Sequence, residues 1–420
     1  MIFWKPMVAV FFVLAGGVGE NDVADWVKQL QHSSVATRQA AEEALLQAGP
    51  EILPFLPDSA SLPPETRLRL NRIRLRLERQ QSETTLQNAQ VHISQPRTLA
   101  EVLSTVEQQT GNRLELGVDG SVEWTPKKTE KEDFWPFVDG LCDALSLQLQ
   151  PQNEKKGWIL LKNRRKTSRH AAQNPRVAYL GPFRMEPTRI TSTILLENNT
   201  SATRLQVELA WEPRLQPILA QLTWKTLQNA AGEDFSAELL PRVHELPVGM
   251  RESRIVAELP LGVKSVETLR QQSQISLGGT LQTVVAGPIF PFTFENLTEK
   301  IGREFPPISH RQAEILVTLT GLRREGHSLV ATLRYRYEHS HGAMESHRTW
   351  VYENPATLEK DSQQIASTRY EMLRQTDHEI ALDIYFPWQD DLHGWKLIYP
   401  RAVGIYQIEY PFLMKDIPIP

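Results

Sequence analysis

The sequence predicts a multidomain α+β protein: a short N-terminal helical repeat, a small β-α-β domain, then a predominantly antiparallel β-sandwich C-terminal half. Three observations predict it. Apolar residues recur at helical spacing through residues 22–80. A strand–helix–strand pattern occurs twice between Ala89 and Lys162. From about residue 177 onward, short alternating runs are split by Pro, Gly and Asn. The 420 residues suit two to four domains. Lys plus Arg number 46 against 50 Asp plus Glu, so the formal charge is −4 and no global field favours nucleic acid or an anionic membrane. The single cysteine, Cys142, excludes an intramolecular disulfide and a thiolate-only zinc site.

The first segment, MIFWKPMVAVFFVLAGGVGEND, has one charge, Lys5, before Glu20. An apolar core around Met7 to Leu14 leads into Ala15, Gly16, Gly17, Val18 and Gly19. A positive start, a short apolar core and a small-residue end predict a secretory signal over residues 1–19. An anchor left uncleaved is the other reading, although the core falls short of the ~20 residues that span a bilayer. No later segment is long and apolar enough to span, so no transmembrane passage is expected after signal removal.

Residues 20–82 read as helices. Trp26, Val27 and Leu30 give the first an apolar face, and Ser33 or Ser34 can cap the second. Gly49-Pro50 ends that second helix, and Pro63-Pro64-Glu65 opens a third. The third carries Arg67, Arg69, Arg72, Arg74, Arg76 and Arg79. With no aromatic interleaved, this strip reads as a solvated face, with Leu68, Ile73, Leu75 and Leu77 expected to pack on the neighbouring helix. The pattern ATRQAAEEALLQAGPEILPFL resembles a single HEAT-like repeat.

Residues 83–162 form the small domain. VHISQ reads as a strand, TLAEVLSTVEQQTG as a helix with a Thr98/Glu101 capping box and a Gly111 stop, and RLELGV as a returning strand. SVEWTPK, the helix DFWPFVDGLCDALSLQ, LQLQPQ and GWILLKN repeat the theme, and Cys142 reads as a buried structural thiol. Through Leu99, Leu103, Gly111, Trp135, Leu141, Leu145 and the closing WILLK, this stretch resembles the short N-terminal (STN-like) domains of secretins and TonB-dependent receptors. That resemblance implies a periplasmic docking module without catalysis.

Residues 163–176 are polar and basic and read as an exposed linker. Two sandwiches are expected beyond it, over residues 177–305 and 306–420, with strands including VAYLGPFRM, SHRTWVYEN, WKLIYP and VGIYQIEYPFLM. Gly278-Gly279 reads as a bulge or tight turn. The GPFR opening (Gly181 to Arg184), EPRLQP (Glu212 to Pro217) and the overall order resemble large families of exported proteins of planctomycete-type bacteria, a likeness that implies no activity.

Two constellations could carry chemistry. In HSHGAMESH, His339 and His341 would share a strand face, and a turn at Gly342-Ala343 would return His347 towards them, a candidate metal site. In WQDDLHGW, Asp390, Asp391 and His393 lie between Trp388 and Trp395, a candidate sugar-binding turn. No P-loop, G-x-S-x-G, H-E-x-x-H or dinucleotide motif occurs. The expectation is an exported, non-enzymatic binding or scaffold protein of the bacterial cell envelope that makes protein–protein contacts and uses no cofactor. The alternative is envelope polysaccharide binding or hydrolysis through the Trp388–Trp395 turn.

Overall fold

The structure, a computed structural model, describes residues 19–57, 62–128, 130–152, 157–163, 176–197, 200–236, 243–246, 248–249, 252–261, 274–387 and 392–418. The predicted signal, apart from Gly19, and nearly all of the predicted linker lie outside these residues. The chain divides into two compact units, Met1–Gln81 and Ser82–Pro420. No helix among the described residues is long and apolar enough to cross a membrane.

The first unit is helical. α1 (Glu20–Gln29), α2 (Val35–Ala48) and α3 (Pro64–Thr85, which runs past the unit boundary) enclose Val27, Leu30, Leu45, Leu70, Ile73 and Leu77. Leu70, Ile73 and Leu77 stand at i, i+3 and i+7, one face of the helix. Leu68 was expected in that core, but it points away and is 72% exposed. Ser34 occupies the N-cap of α2 without a side-chain cap bond, and Gly49 ends the helix at φ +81°. The arginine strip is largely spent inside the unit. Arg72 donates to both oxygens of Glu42 (2.7 Å each), Arg69 bridges Glu42 and Glu65, and Arg74 donates to the Pro57 carbonyl (2.8 Å).

The second unit begins with the small α+β domain. Its strands are β1 (Gln90–Val91), β2 (Arg97–Thr98), β3 (Leu114–Leu116), β4 (Glu123–Trp124), β5 (Glu132–Asp133), β6 (Leu147–Pro151) and β7 (Trp158–Lys162). Its helices are α4 (Leu99–Thr110) and α5 (Phe134–Leu145). β3 runs parallel to β7, and β6 pairs with β7 antiparallel. Both helices bury apolar faces, with Val102 and Val106 from α4 and Trp135, Val138 and Leu141 from α5. The predicted capping box is present: Thr98 Oγ1 accepts from Glu101 N, and Glu101 Oε2 accepts from Thr98 N (2.9 Å). Thr98→Ala is expected to lower stability by about 1 kcal/mol in urea titrations, the usual cost of a lost cap. Cys142 is buried, and burial together with Asp139 pushes its thiol well above the ordinary range.

The first sandwich uses β8 (Ala178–Leu180), β9 (Phe183–Leu195), β10 (Thr200–Trp211), β11 (Gln216–Asn229), β12 (Val243–Leu246), β13 (Arg254–Leu261) and β14 (Gln274–Ala286). The second uses β15 (Ile289–Phe294), β16 (Ile308–Gln312), β17 (Ile315–Glu325), β18 (Ser328–Tyr337), β19 (Thr357–Lys360), β20 (Gln363–Ala366), β21 (Arg369–Gln375), β22 (Glu379–Pro387) and β23 (Lys396–Ala402). The last strand, β24 (Ile405–Pro418), returns to the first sandwich. Sheet order is β13-β10-β9-β8 over β12-β11-β14-β24, then β15-β23-β19-β20 over β16-β17-β18-β22-β21. Each pair of sheets closes on one apolar core, the arrangement of a β-sandwich.

The expected division near residue 305 therefore shifts. The chain enters the second sandwich at Ile289, where β15 pairs with β23, and leaves it before Ile405. Alternation marks a strand but not the sheet it joins. The two crossings run side by side: Gly287 N donates to Gly404 O, and Val403 N to Pro288 O, both at 2.9 Å. A Cβ on Gly404 would stand 2.4 Å from the Tyr406 hydroxyl, so a larger residue there would force that ring to shift. Gly278-Gly279 lies within β14 and not in a turn. The register shift opposite it falls in β11, between Trp224 and Thr226. SHRTWVYEN, expected as a strand, is instead turns and a short 3₁₀ helix, Trp350–Tyr352.

Candidate functional site

The motifs singled out without a role, GPFR and EPRLQP, hold the small domain onto the first sandwich. Glu212 is fully buried. Its Oε1 accepts from Ala89 N (2.9 Å), and its Oε2 accepts from Asn112 Nδ2 (2.8 Å) and Arg214 Nε (2.7 Å). Asn112 Oδ1 in turn accepts from Arg214 N (3.1 Å). On the GPFR side, Asp139 of α5 accepts from Arg184 Nε (2.8 Å) and the Tyr179 hydroxyl (2.6 Å), while Trp135 Nε1 donates to Pro182 O (2.9 Å). Burial alone would lower the Arg184 pKa. Asp139 and Glu186 outweigh it, so the guanidinium stays charged. Burial and then Glu212 push the Tyr410 hydroxyl up to about 12. A buried charge is tolerated only when paired and hydrogen-bonded, and both clamps meet that condition.

The candidate metal ligands His339, His341 and His347 do not converge. β18 ends at Tyr337, so His339 and His341 lie beyond the strand, and His341 has φ +47°. Their rings stack with centroids 6.1 Å apart, and His339 Nδ1 is 3.9 Å from Glu314 Oε2. Both border a groove of about 480 Å³ that includes Tyr406 and Tyr410. His347 lines a different cavity. The expected hairpin is replaced by turns because Arg348 and Trp350 are drawn inward: Arg348 Nε donates to Gly342 O (2.9 Å) and Trp350 Nε1 to Ala343 O (2.6 Å). Among the described residues no three His, Cys, Asp or Glu side chains group as a metal ion would need.

The candidate sugar-binding turn is described only in part. Trp388, Asp390 and Asp391 lie outside the described residues. His393 is exposed, whereas Trp395 is 6% exposed and packs into the second core, so it offers no open face.

The structure instead brings together residues that sequence spacing leaves far apart. A cavity of about 290 Å³ opens between the two sandwiches. Trp211 at the end of β10, Gln216 opening β11 and Glu245 on β12 contribute from one side, with Glu252 in the segment before β13. Arg348, Trp350 and Glu353 contribute from the loop between β18 and β19. Arg348 is buried, and its Nη2 reaches Glu245 Oε1 and Glu345 Oε2, both at 3.0 Å. His347 Nε2 stands 3.8 Å from Glu245 and 3.7 Å from Glu345.

One arginine braces this loop from behind. Arg401 is 2% exposed and lies 3.8 Å over the Tyr399 ring. Its Nη1 donates to the carbonyls of Glu353 and Asn354 (2.9 Å each), and its Nη2 to Val351 (3.2 Å). Burial pushes the Tyr399 hydroxyl up to about 12, with Arg401 opposing the rise. The wall is thus held by a buried guanidinium that donates to three backbone carbonyls of the loop. Sequence reasoning marked the HSHGAMESH stretch but passed over Arg348 beside it. The adjacency of Arg348 and Trp350 to a glutamate-bearing loop was the available signal.

No family model matches the chain, and no curated protein matches it. Among solved structures, the crystal structure of S. aureus TarS is similar over 53% of this chain and 41% of its own, at 8% identity and a TM-score of 0.12. The chain spans about two fifths of the TarS length, and at that score the likeness carries no argument about fold or function.

Proposed function

We propose that the chain is an exported, non-enzymatic binding or scaffold protein of a bacterial cell envelope, and that it holds a protein partner at the cleft between its sandwiches. The leader sequence, the HEAT-like pattern and the STN-like pattern motivate export and a docking role. The carrying observation is the cleft itself, whose Arg348 is buried against Glu245 and Glu345 and whose loop is braced by Arg401. Preorganised side chains at a cleft between rigid layers suit recognition. The polysaccharide reading has less support, because burial removes Trp395 as a stacking platform.

The small domain is clamped to the first sandwich, so deleting residues 89–162 would expose buried surface and is a poor control. A cleft-filling variant is better. Thr349 is exposed at the cavity wall, and Thr349→Trp should occlude it. Cross-linking in envelope extracts, with captured proteins identified by mass spectrometry, should show a partner that wild-type protein retains and Thr349→Trp loses at least tenfold. Identical captures by the two proteins would overturn the reading.

A further inference from the structure

We infer that the second sandwich takes up one further strand, an extended uncharged segment of a protein partner that pairs with the open edge of β15. The site is separate from the cleft and stands without it. Three observations carry it.

The first is the main chain. β15 pairs with β23 and with no other strand among the described residues. Pro291 stands opposite Pro400, and neither has an N–H to exchange. The ladder bonds therefore run through Phe290, Phe292 and Phe294, and the peptide groups of Ile289, Pro291 and Thr293 face outwards. Val403 N donates to Pro288 O in the same phase. A row of outward N–H and C=O groups is complementary to another extended main chain, which distinguishes this edge from a merely apolar face.

The second is the side chains. Ile289 is 42% and Phe290 38% exposed, and Pro288 and Pro291 on either side are exposed as well. No charged residue occurs from Pro288 to Phe294. On the outer face of the sheet, Pro291 lies beside the half-buried Pro400. On the other face, Phe290 borders a groove of about 520 Å³ that Ile308 and His310 of β16 close from the far side. Phe292 and Phe294 belong to the core, so the surface a guest can touch is that of Ile289, Phe290 and Pro291. Uncharged residues of an added strand would cover it on both faces, whereas a charged one would lose hydration without gaining a partner.

The third is the contrast with the other edges of the two sandwiches. β8, β12 and β20 are short. β13 carries Arg254 and Glu258, β16 carries Arg311, and β24 carries Glu409 and Lys415. β21 carries Arg369 and Arg374 and a register shift. Short length, charge and bulges are the usual protections of an edge, and β15, six residues long and uncharged, has only Pro291. That proline also disfavours a second copy of the chain. In a twofold pairing centred on β15 each Pro291 would face the other, and both carbonyls would lack a donor. An ordinary residue of a foreign strand donates to the Pro291 carbonyl.

The test uses the full mature chain and the acetylated, amidated peptide Lys-Thr-Val-Thr-Val-Thr-Val-Lys, whose end lysines keep it soluble. Calorimetry gives affinity, and amide hydrogen exchange read by NMR gives the place of binding. The peptide should bind and slow exchange at the outward amides of Ile289 and Thr293. The same peptide N-methylated at every threonine and valine keeps its side chains, loses their main-chain donors, and should bind at least tenfold more weakly. A version with glutamate in place of valine should weaken likewise. The variant Ile289→Lys/Phe290→Lys should lose at least tenfold in affinity, whereas Leu373→Lys, at a leucine 50% exposed on β21, should bind as wild type does. Should the double variant unfold early, the exchange pattern and the N-methylated peptide decide in its place. No binding at millimolar peptide, protection confined to another strand, equal binding of the N-methylated or glutamate peptide, or equal loss in Leu373→Lys would overturn the inference. A dimer in sedimentation that Ile289→Lys/Phe290→Lys dissociates would overturn it in favour of a second copy. Thr349→Trp should bind the peptide as wild type does, so the cleft and the edge fail separately; loss of peptide binding in that variant would place the peptide at the cleft and overturn the inference.

Discussion

Replacing Glu212 by alanine is expected to cost about 3–5 kcal/mol, the scale seen when one member of a buried charged pair is removed. The side chain is fully buried and accepts from three groups, one on the backbone at Ala89. Without it, Arg214 loses its carboxylate, and Asn112 Nδ2 and Ala89 N lose their acceptors. Against a typical total stability of ~5–15 kcal/mol this is severe. Glu212→Gln keeps one acceptor oxygen and should cost less than alanine. Urea unfolding followed by far-UV circular dichroism gives the cost, and hydrogen exchange at Ala89 and Trp135 reports whether the small domain loosens first. An alanine variant as stable as wild type would show that the clamp is not needed to hold the domain.

Removing β24 by ending the chain after Gly404 should be worse. The strand pairs with β14 from Gln274↔Pro418 to Ala286↔Ile405 and buries Phe412, Met414 and Ile417 in the first core. A single truncation such as Met414→Ala should cost about 2–5 kcal/mol by cavity formation. Loss of the whole strand should exceed the stability of the sandwich and leave an insoluble or partly unfolded product. Solubility and thermal unfolding of the shortened chain and of Met414→Ala check the two scales. A soluble, cooperatively unfolding short chain would show that β24 is dispensable.

Local signals made much of this fold legible. Leu99, Val102, Leu103 and Val106 repeat on one helical face, and Thr98 and Glu101 sit three residues apart, so α4 could be read with its cap. Alternation likewise predicted the antiparallel β-rich half and its sandwich character. What escaped was nonlocal. Alternation in VGIYQIEYPFLM is the same whichever sheet the strand joins, so pairing with β14 in the first sandwich carried no local mark. Trp350 in SHRTWVYEN looks β-prone, yet its indole bond to Ala343 and the hold of Arg401 on Val351 and Glu353 turn the backbone aside. The cleft escaped for the same reason: Arg348 meets Glu245 across 103 positions of chain. Motif reading therefore found the histidines, which lie close in sequence, and missed the ion pair, which lies close only in space.

The double crossing at Gly287 and Gly404 bears on the order of assembly. The second sandwich is an insertion within the first, and its two ends are hydrogen-bonded to each other, while Ile218, Leu219 and Val284 of the host strands pack against its core. The host cannot close first. Until the insert has been synthesised and folded, β14 lacks its final neighbour and presents a long open edge, the exposure that invites pairing with other chains. Such delayed, long-range pairing is intrinsically slow. The slowest folding step should therefore be the docking of the last strand, and its yield should fall as chain concentration rises.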